Sequence, residues 1–345
     1  ATLTLKAEDK SKFYAQENPQ LTFTYNGFVN GETLATSGVS GLPDVTTDAE
    51  TLSSGGTYDI VLSTGTLAST NYAFNLVKGT MTINKITLTV TADNKSRTYG
   101  AINPKFTATY SGFVNGENLI SSGINGFPSL TTAASATSPV GSYDVNASIG
   151  SLISANYTFV FAKGKLTVDK ANITVTAVNK TKIYGSTNPS FAAAYTGFMN
   201  GETLANSGIT GAPEYNTPAT AASPVGNYDI NITQGTLAAG NYNFTMAKGT
   251  LSVGKATITV TADNKVKVYS TLNPALTASL SGFVNGENLS SSGVTGDPDL
   301  VTNATATSPA GNYEIIPSLG TLASSNYLFI FSKGELTINK ATINV

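Results

Sequence analysis

The 345-residue chain contains no cysteine, no histidine and no tryptophan. Without cysteine there can be no disulfide, no thiolate nucleophile and no cysteine-ligated metal centre. Without histidine the chain lacks the usual general base near neutral pH and the commonest metal ligand of proteins. We therefore predict that the chain is not an enzyme and that it holds no cofactor.

Charge and long apolar runs are also scarce. The chain has 19 basic and 21 acidic residues, which give a formal net charge of −2. This balance provides neither the basic surface that nucleic-acid binding requires nor a polybasic membrane patch. No apolar run reaches the roughly 18 residues that span a bilayer, and no signal segment stands at the start. We expect no nucleic-acid partner, no membrane insertion, and a natural protein that is longer than this chain.

A repeat of constant length fills the sequence. The pairs Asn-Pro, Gly-Phe and Lys-Gly each recur four times at intervals of 85 residues, without insertion or deletion. We name the units repeat 1 (residues 1–85), repeat 2 (86–170), repeat 3 (171–255) and repeat 4 (256–340), and residues 341–345 match the start of another repeat. Solenoid repeats are about 20 to 50 residues long, so this period indicates small domains that each have a core of their own.

Alternation of apolar and polar residues predicts β-strands in every repeat. In repeat 3, for example, Ile173, Val175 and Ala177 form the buried face of the first strand. In repeat 2 the alternation continues through 106–110, 143–147 and 157–168, and its parity changes at Lys163-Gly164, where we predict a glycine bulge. Almost no linker separates the last strand of one repeat from the first strand of the next, which favours a semi-rigid rod.

One segment does not fit the strand pattern. Residues 115–123 fit either about two helical turns, with Glu117 near the positive end of the helix dipole and Gly123 as the stop, or an irregular loop. We predict an all-β fold of four tandem immunoglobulin-like sandwiches, each with at most one short helix, in an elongated monomeric rod. The alternative is a β-grasp-like domain in which that helix packs over one sheet.

The recurring motifs point to a known family. In repeat 2 they are Tyr99-Gly100, Asn103-Pro104, the stretch 112–117, Ser-Pro-Val-Gly-Ser-Tyr at 138–143, 156–159 and 163–167. This pattern resembles the MBG domains, of YGX type, found in bacterial surface proteins. Three turns depart from it, because Tyr14-Ala15 and Tyr269-Ser270 lack the glycine, and Gly55-Gly56-Thr57-Tyr58 replaces the proline-containing motif. The resemblance implies tandem arrays in secreted or surface-attached, often adhesin-like proteins, with no catalytic residue and no defined ligand.

A glutamate recurs at Glu32, Glu117, Glu202 and Glu287. We interpret it as a residue favoured by a turn or by the N-terminus of a helix. A catalytic role is disfavoured because no second carboxylate recurs at a fixed offset to complete an acid–base pair.

Two further kinds of site were weighed. Calcium between repeats would use Asp9, Asp93 and Asp263, with Asp169 at a junction, but Val178 takes the equivalent place in repeat 3. An isopeptide bond would need Lys163, Asn156 and Glu117 or their counterparts. We predict neither, and so assign no catalytic residue, no metal ligand and no ligand-binding residue.

The recurring tyrosines fall into two groups. We predict that Tyr143 and Tyr157 lie in the core with their hydroxyls bonded to backbone. Tyr99, Tyr184 and Tyr269 follow polar residues and are candidates for half-exposed positions.

The leading functional interpretation is a stalk of a large extracellular bacterial adhesin that projects a distal binding module. The alternative is an array whose repeats bind glycans, host surfaces or abiotic surfaces weakly, with avidity from repetition.

Overall fold

The computed structural model describes residues 1–343. Regular structure in this range consists of β-strands alone. No helix among these residues is long and apolar enough to cross a membrane. The chain divides into two compact units, Ala1–Lys170 and Ala171–Val345, and each unit contains two repeats.

Each repeat contributes seven strands in the same order. Repeat 1 contains β1 (Thr2–Ala7), β2 (Lys10–Phe13), β3 (Phe23–Asn26), β4 (Asp44–Thr47), β5 (Gly56–Ser63), β6 (Ala73–Val77) and β7 (Gly79–Asn84). Repeat 2 contains β8 (Ile86–Ala92), β9 (Lys95–Thr98), β10 (Ala108–Ser111), β11 (Ser129–Thr132), β12 (Gly141–Ser148), β13 (Tyr157–Ala162) and β14 (Gly164–Asp169). Repeat 3 contains β15 (Ala171–Ala177), β16 (Lys180–Ile183), β17 (Ala193–Thr196), β18 (Glu214–Asn216), β19 (Gly226–Thr233), β20 (Tyr242–Ala247) and β21 (Gly249–Gly254). Repeat 4 contains β22 (Ala256–Ala262), β23 (Lys265–Val268), β24 (Ala278–Ser281), β25 (Asp299–Val301), β26 (Gly311–Ser318), β27 (Tyr327–Ser332) and β28 (Gly334–Asn339).

The seven strands of a repeat form two sheets. In repeat 1 the strand orders are β3-β1-β6 and β2-β7-β5-β4, and repeats 2 to 4 have the same orders. The first strand pairs antiparallel with the third and parallel with the sixth, and the seventh pairs antiparallel with the fifth and parallel with the second. Seven strands in two facing sheets make an immunoglobulin-like sandwich. The predicted fold class is therefore confirmed. The β-grasp alternative is wrong because residues 1–343 contain no helix to pack on a sheet.

The interior of each sandwich is filled by the alternating apolar side chains that the sequence predicts. In repeat 1, Leu3 and Leu5 on β1, Ile60 on β5 and Met81 on β7 are all completely buried. Because β1 and β7 belong to different sheets, their side chains meet in one core. Burying side chains of this size stabilises the fold by about 1.5–3 kcal/mol each. The predicted buried face of Ile173, Val175 and Ala177 in repeat 3 is also confirmed.

The change of parity at Lys163-Gly164 has a different cause from the predicted bulge. Strands β13 and β14 are consecutive in sequence but lie in different sheets, so the chain crosses between the sheets at this point. A Cβ atom on Gly164 would lie 2.2 Å from the carbonyl oxygen of Ala92, and no side chain fits so close to backbone. Glycine recurs here because the crossing strand lies directly against the first strand of its repeat.

The segment 115–123 forms turns and no helix. Asn115 and Gly116 both have positive φ, at 53° and 70°, which ordinary helical backbone does not allow. The Asn118 side chain then accepts the backbone N–H of Ile120 and of Ser121, in competition with helical bonding. A single bond from Ser122 N–H to the Asn118 carbonyl closes one isolated turn. The loop interpretation is therefore correct.

Candidate functional site: the junctions between repeats

Repeats 1 and 2 are joined without a linker. Strand β7 ends at Asn84 and β8 begins at Ile86, so Lys85 alone separates them. The Lys85 ammonium donates to the Ser154 carbonyl of repeat 2 at 2.7 Å. In the second unit, Lys255 lies between β21 and β22 and donates to the Ser324 carbonyl at 2.8 Å.

At the centre of this junction two tyrosines share one carboxylate. Tyr14, in the turn after β2, donates its hydroxyl to Glu117 Oε1 of repeat 2 at 2.6 Å. Tyr157, on β13 of repeat 2, donates to Glu117 Oε2 at 2.7 Å. The two rings lie edge to face, with centroids 5.9 Å apart at 71°. Glu117 therefore ties a tyrosine of its own repeat to a tyrosine of the preceding repeat.

The junction between repeats 3 and 4 has the same arrangement. Tyr184 donates to Glu287 Oε1 at 2.5 Å, and Tyr327 donates to Glu287 Oε2 at 2.5 Å. The rings again meet edge to face, with centroids 5.5 Å apart at 88°. Such aromatic pairs contribute about 0.5–1.5 kcal/mol beyond the area that they bury.

A further polar contact accompanies each tyrosine pair. The backbone N–H of Gly55 donates to the Asn156 side-chain oxygen at 3.3 Å. In the second unit the N–H of Val225 donates to the Asn326 side-chain oxygen at 3.0 Å. Each junction thus combines a lysine, a tyrosine and a backbone N–H from one repeat with acceptors on the next.

Burial and the nearby carboxylate change the tyrosines' acidity. Burial, followed by the hydrogen bond to Glu117, raises the pKa of Tyr14 and of Tyr157 to about 12. Burial and Glu287 raise the pKa of Tyr327 to about 12 in the same way. The hydrogen bond to Glu287, followed by burial, raises the pKa of Tyr184. The hydroxyls stay protonated and act as donors well above neutral pH.

Apolar packing also continues through each junction. The buried cluster of repeat 1 includes Leu88 and Tyr157 of repeat 2. Another cluster joins Tyr184 and Val253 of repeat 3 to Ile258 of repeat 4. The separate cores that an 85-residue repeat suggests are therefore connected at both of these junctions.

Buried cations hold the turn that presents the junction tyrosine. Lys12 is 4% exposed, and its ammonium donates to the carbonyls of Gln16 at 2.9 Å and Glu50 at 2.7 Å. Asn18, of the Asn-Pro motif, donates to the neighbouring Ala49 carbonyl at 2.5 Å. Buried cations occupy the equivalent positions in the other repeats: Arg97, Lys182 and Lys267. These residues were not predicted from the sequence, although their 85-residue spacing could have revealed them.

The recurring glutamate lies in a turn, as one of the two interpretations had it, and the other interpretation, the N-terminus of a helix, was wrong. Glu32 and Glu202 accept the hydroxyls of Tyr72 and Tyr242 in their own repeats, both at 2.5 Å. A second acidic residue does recur in every repeat, so the prediction that none recurs at a fixed offset was also wrong. These acids form exposed ion pairs with the lysines of the Lys-Gly motif: Asp59–Lys78, Asp144–Lys163, Asp229–Lys248 and Glu314–Lys333.

The candidate calcium ligands Asp9, Asp93 and Asp263 have partners inside their own repeats. Asp9 accepts the backbone N–H of Thr80 at 2.8 Å, and Asp93 accepts the hydroxyls of Thr107 at 2.5 Å and Thr109 at 2.6 Å. Asp263 accepts the Thr277 hydroxyl at 2.5 Å. Within residues 1–343 no three acidic side chains converge as a metal site would require.

The candidate isopeptide residues have separate partners. Lys163 donates to Asp144 at 3.0 Å, whereas Asn156 accepts from Gly55 and Glu117 accepts the two tyrosine hydroxyls. Lys165 and then Lys163 lower the pKa of Asp144 to about 2 through hydrogen bonds. The arrangement accounts for Lys163 as one member of an exposed ion pair.

The tyrosine predictions have mixed outcomes. Tyr143 is half-buried against the core and not inside it, but its hydroxyl donates to the Pro139 carbonyl at 2.8 Å, as predicted. Tyr157 is buried and its hydroxyl accepts the backbone N–H of Val114 at 3.3 Å, both as predicted, and the hydroxyl also donates to Glu117. Tyr99 and Tyr184 are buried, so half exposure was wrong for both, whereas Tyr269 is 42% exposed.

The turns that depart from the motif keep the geometry of the others. Ala15 and Ser270 have φ of 65° and 73°, close to the 86° of the equivalent Gly185. Tyr58 donates to the Ser54 carbonyl at 2.9 Å even though the proline motif is absent. The local backbone is therefore common to the repeats.

The family model for the MBG domain (YGX type) matches residues 3–82, 88–167, 173–252 and 258–337. The chain belongs to the MBG family. None of the curated proteins compared with it matches.

Several solved structures with tandem domains are similar to this MBG array. Sidekick-1 immunoglobulin domains 1–4 are 12% identical, with 84% of this chain and 83% of that chain covered and a TM-score of 0.24. The I9–I11 tandem of titin is 13% identical over 75% and 98% of the two chains, with a TM-score of 0.20. Drosophila N-cadherin EC1-3 is 6% identical over 59% and 78%, with a TM-score of 0.16. These scores are too low to support a functional comparison.

Proposed function

We propose that this MBG array is a stalk segment of a large bacterial cell-surface or secreted adhesin, and that it holds a distal binding module away from its point of attachment. The observation that carries the proposal is the junction itself. Tyr14–Glu117 and Tyr184–Glu287 are the same buried contact in two different units. A spacer needs neighbouring domains that keep a fixed relation to one another, and a buried contact beside a one-residue connection restricts bending.

Constant repeat length supports the same proposal. The 85-residue period has no insertion or deletion, so no repeat carries an added loop of the kind on which binding sites are commonly built. The repeats belong to a non-enzymatic domain type, and we further propose that the chain has no catalytic activity and works outside the cell.

The alternative of an array that binds glycans or surfaces predicts exposed aromatic or polar groups that recur on one face of each repeat. Phe127 is 79% exposed and borders an open apolar groove of about 630 Å³ with Phe106 and Tyr110. The positions equivalent to Phe127 are Leu42, Ala212 and Asp297. Exposed Phe13 likewise corresponds to Thr98, Ile183 and Val268. This lack of recurrence counts against avidity from a repeated aromatic site.

Two measurements on the full chain test the proposal. Small-angle X-ray scattering should show a larger maximum dimension and a narrower distribution of conformations for the wild type than for the double variant Glu117→Ala/Glu287→Ala. The control variant Asp59→Ala/Asp229→Ala removes two exposed acids outside the junctions and should scatter like the wild type. Equal flexibility in all three proteins would contradict a stalk held by these contacts.

A binding screen separates the two functions. The stalk proposal expects no binding of the immobilised chain to glycan arrays, host-cell surfaces or abiotic surfaces. Binding that grows steeply with the surface density of the chain would favour the avidity function instead.

A further inference from the structure

Repeat 2 has an open groove at one edge of its sandwich. The groove has a volume of about 630 Å³, and Phe106, Ala108, Tyr110, Phe127 and Leu130 are among the residues that line it. Ala108 and Tyr110 belong to β10 and Leu130 belongs to β11, and these are terminal strands of two different sheets. The groove therefore opens between the sheets, and its volume suits a small molecule.

The floor of the groove is fixed by the core. Phe106 and Leu130 pack against one buried cluster of repeat 2, and Tyr110 packs against the cluster that repeats 1 and 2 share. Phe127 and Leu119 are 79% and 43% exposed and form the rim. Most of the lining is thus apolar and in place before a ligand arrives.

Two polar groups at the groove have no partner within residues 1–343. Lys105 lines the groove, is exposed and forms no ion pair in this range. The Tyr110 hydroxyl makes no hydrogen bond there, and burial alone raises the pKa of this tyrosine, so the hydroxyl remains a donor. None of the lining residues is acidic, and Asp93 bonds to Thr109 on the opposite face of β10. The groove therefore offers a cation and a hydroxyl to a ligand.

Two other repeats carry larger side chains at the equivalent places. In repeat 1, Phe23 stands in the place of Ala108, and its ring meets Tyr25 with centroids 5.3 Å apart. In repeat 3, Tyr215 stands in the place of Leu130. Repeat 2 therefore keeps space where these repeats have an aromatic ring.

The cation and the exposed ring occur in repeat 2 alone. The positions equivalent to Lys105 and Phe127 hold no basic and no aromatic residue in the other repeats: Gln20, Ser190 and Ala275 for the lysine, and Leu42, Ala212 and Asp297 for the phenylalanine. Open space, aromatic walls and an unpaired positive charge thus meet at a single place in the array.

We propose that this groove of repeat 2 binds a small aromatic carboxylate. The ligand's ring lies among Phe106, Tyr110 and Phe127, because aromatic rings favour offset and edge-to-face contacts with one another. Its two carboxylate oxygens accept from the Lys105 ammonium and the Tyr110 hydroxyl, which pairs the free charge with an opposite one. The inference does not depend on the stalk function.

Titration of the full chain with 2-naphthoate, followed by two-dimensional NMR, tests the proposal. Ligands of this size typically bind with a Kd of about 0.1–1 mM. The amide signals that move should be those of the groove, such as Thr107, Leu119 and Leu130. Decanoate has the same charge without a ring, so it should bind more weakly than 2-naphthoate.

Two variants borrow residues that other repeats already have at these positions. Ala108→Phe copies Phe23 and should abolish binding, because the ring fills the groove. Phe127→Ala copies Ala212 and should weaken binding about two- to tenfold through the loss of one ring contact. Leu42→Ala is the matched control, since Leu42 is the equivalent of Phe127 in repeat 1 and is 65% exposed. It should bind like the wild type.

A neutral probe isolates the charge. Lys105→Gln copies Gln20 and should weaken 2-naphthoate about three- to fivefold, as expected for an exposed ion pair. The same variant should bind 2-naphthylmethanol, which has no charge, as tightly as the wild type does.

Four results would overturn the proposal. They are no saturable binding at about 10 mM 2-naphthoate, unchanged affinity in Ala108→Phe, tighter binding of decanoate than of 2-naphthoate, and an equal loss for both naphthalene probes in Lys105→Gln. The NMR spectrum of each variant shows whether repeat 2 is folded. Phe127→Ala decides the question if Ala108→Phe disturbs the fold, because Phe127 is an exposed side chain.

Discussion

The junction between repeats 1 and 2 and the junction between repeats 3 and 4 make the same hydrogen bonds but place their tightest steric contact on different residues. Between repeats 1 and 2, a Cβ atom on Gly55 would lie 2.6 Å from the Ala155 carbonyl oxygen, whereas the tyrosine turn carries Ala15. Between repeats 3 and 4, the tyrosine turn carries Gly185 against Val284, whereas Val225 stands in the place of Gly55. At each of these junctions one of the two positions is a glycine on which an added Cβ atom would clash with the next repeat.

The comparison of the two junctions shows which contacts of the interface are constant and which vary. The Tyr14–Glu117 bond of 2.6 Å and the Tyr184–Glu287 bond of 2.5 Å are alike. The small apolar positions differ, because interiors pack closely and a gain in volume on one side needs a loss elsewhere. The polar contact is the constant part of the junction, and the shape around it is adjusted locally.

Alkaline pH should have the largest effect on the stability of the chain, because it weakens the junction between repeats 1 and 2 and the junction between repeats 3 and 4 together. The pKa values of Tyr14, Tyr157 and Tyr327 are about 12 in the folded chain, whereas an unfolded tyrosine titrates at about 10. Because the folded pKa is the higher one, this stabilisation is complete below about pH 10 and is lost as the pH rises through about 12. Urea unfolding at several pH values, followed by circular dichroism, measures the loss.

The control for this pH effect is Tyr14→Phe/Tyr184→Phe. With two junction phenols removed, the midpoint of urea unfolding should fall less between about pH 10 and about pH 12 than in the wild type. An identical fall in both proteins would show that other groups cause the alkaline loss.

Removing the shared carboxylate should have the next largest effect, and an equal one at each junction. Glu117→Ala leaves the buried hydroxyls of Tyr14 and Tyr157 without their acceptor, and Glu287→Ala does the same to Tyr184 and Tyr327. A hydrogen bond to a charged group contributes about 1.5–3 kcal/mol, so we expect a loss of about 3 kcal/mol in the local free energy of opening. Amide hydrogen exchange of the affected repeats measures it.

Glu32→Ala is the matched control, since Glu32 accepts the Tyr72 hydroxyl and has no donor from another repeat among residues 1–343. Its effect should be smaller and confined to repeat 1. A loss as large as that of Glu117→Ala would mean that the contact between repeats contributes little.

Replacing Gly185 with alanine should destabilise the junction between repeats 3 and 4 without affecting the junction between repeats 1 and 2. Gly185→Ala would bring a Cβ atom to 2.4 Å from Val284 at a φ of 86°, and overpacking of this kind costs about 1–3 kcal/mol. We expect faster hydrogen exchange in repeats 3 and 4 and no change in repeats 1 and 2. Gly208→Ala isolates the backbone strain, because Gly208 has a φ of 71° and no atom within 4 Å of the added Cβ. Equal effects of the two variants would rule out the clash as the cause.

Removing one hydroxyl should give the smallest effect. Tyr14→Phe loses the bond to Glu117 but keeps the edge-to-face ring contact, which predicts a loss of about 1–2 kcal/mol in repeats 1 and 2. Tyr269→Phe is the control, because Tyr269 is 42% exposed, and its exchange rates should match the wild type. A loss at Tyr269→Phe equal to that at Tyr14→Phe would contradict the distinction between docked and exposed tyrosines.

The sequence predicts the strands and their buried faces well, because alternation is a local signal. Ile173, Val175 and Ala177 needed no distant information to be assigned to a core. The crossing at Gly164 looked like a bulge because a strand that changes sheet and a strand that bulges both change parity.

The junction could not be derived in the same way. Tyr14 and Glu117 lie 103 positions apart and in different repeats. A tyrosine and a glutamate occur at these two positions in every repeat. The 85-residue period alone therefore cannot show whether a tyrosine bonds to the glutamate of its own repeat or to that of the next repeat. Glu117 was therefore assigned to a turn, and the buried Lys12 that braces the tyrosine was not recognised.

A double-mutant cycle of Tyr14→Phe and Glu117→Gln tests the central claim most directly. The opening free energies of repeats 1 and 2 come from hydrogen exchange of the wild type, the two single variants and the double variant. A direct bond between repeats predicts a coupling energy of at least about 1 kcal/mol. Additive effects, within about 0.3–0.5 kcal/mol, would show that Tyr14 and Glu117 act independently and that this contact does not lock the repeats together.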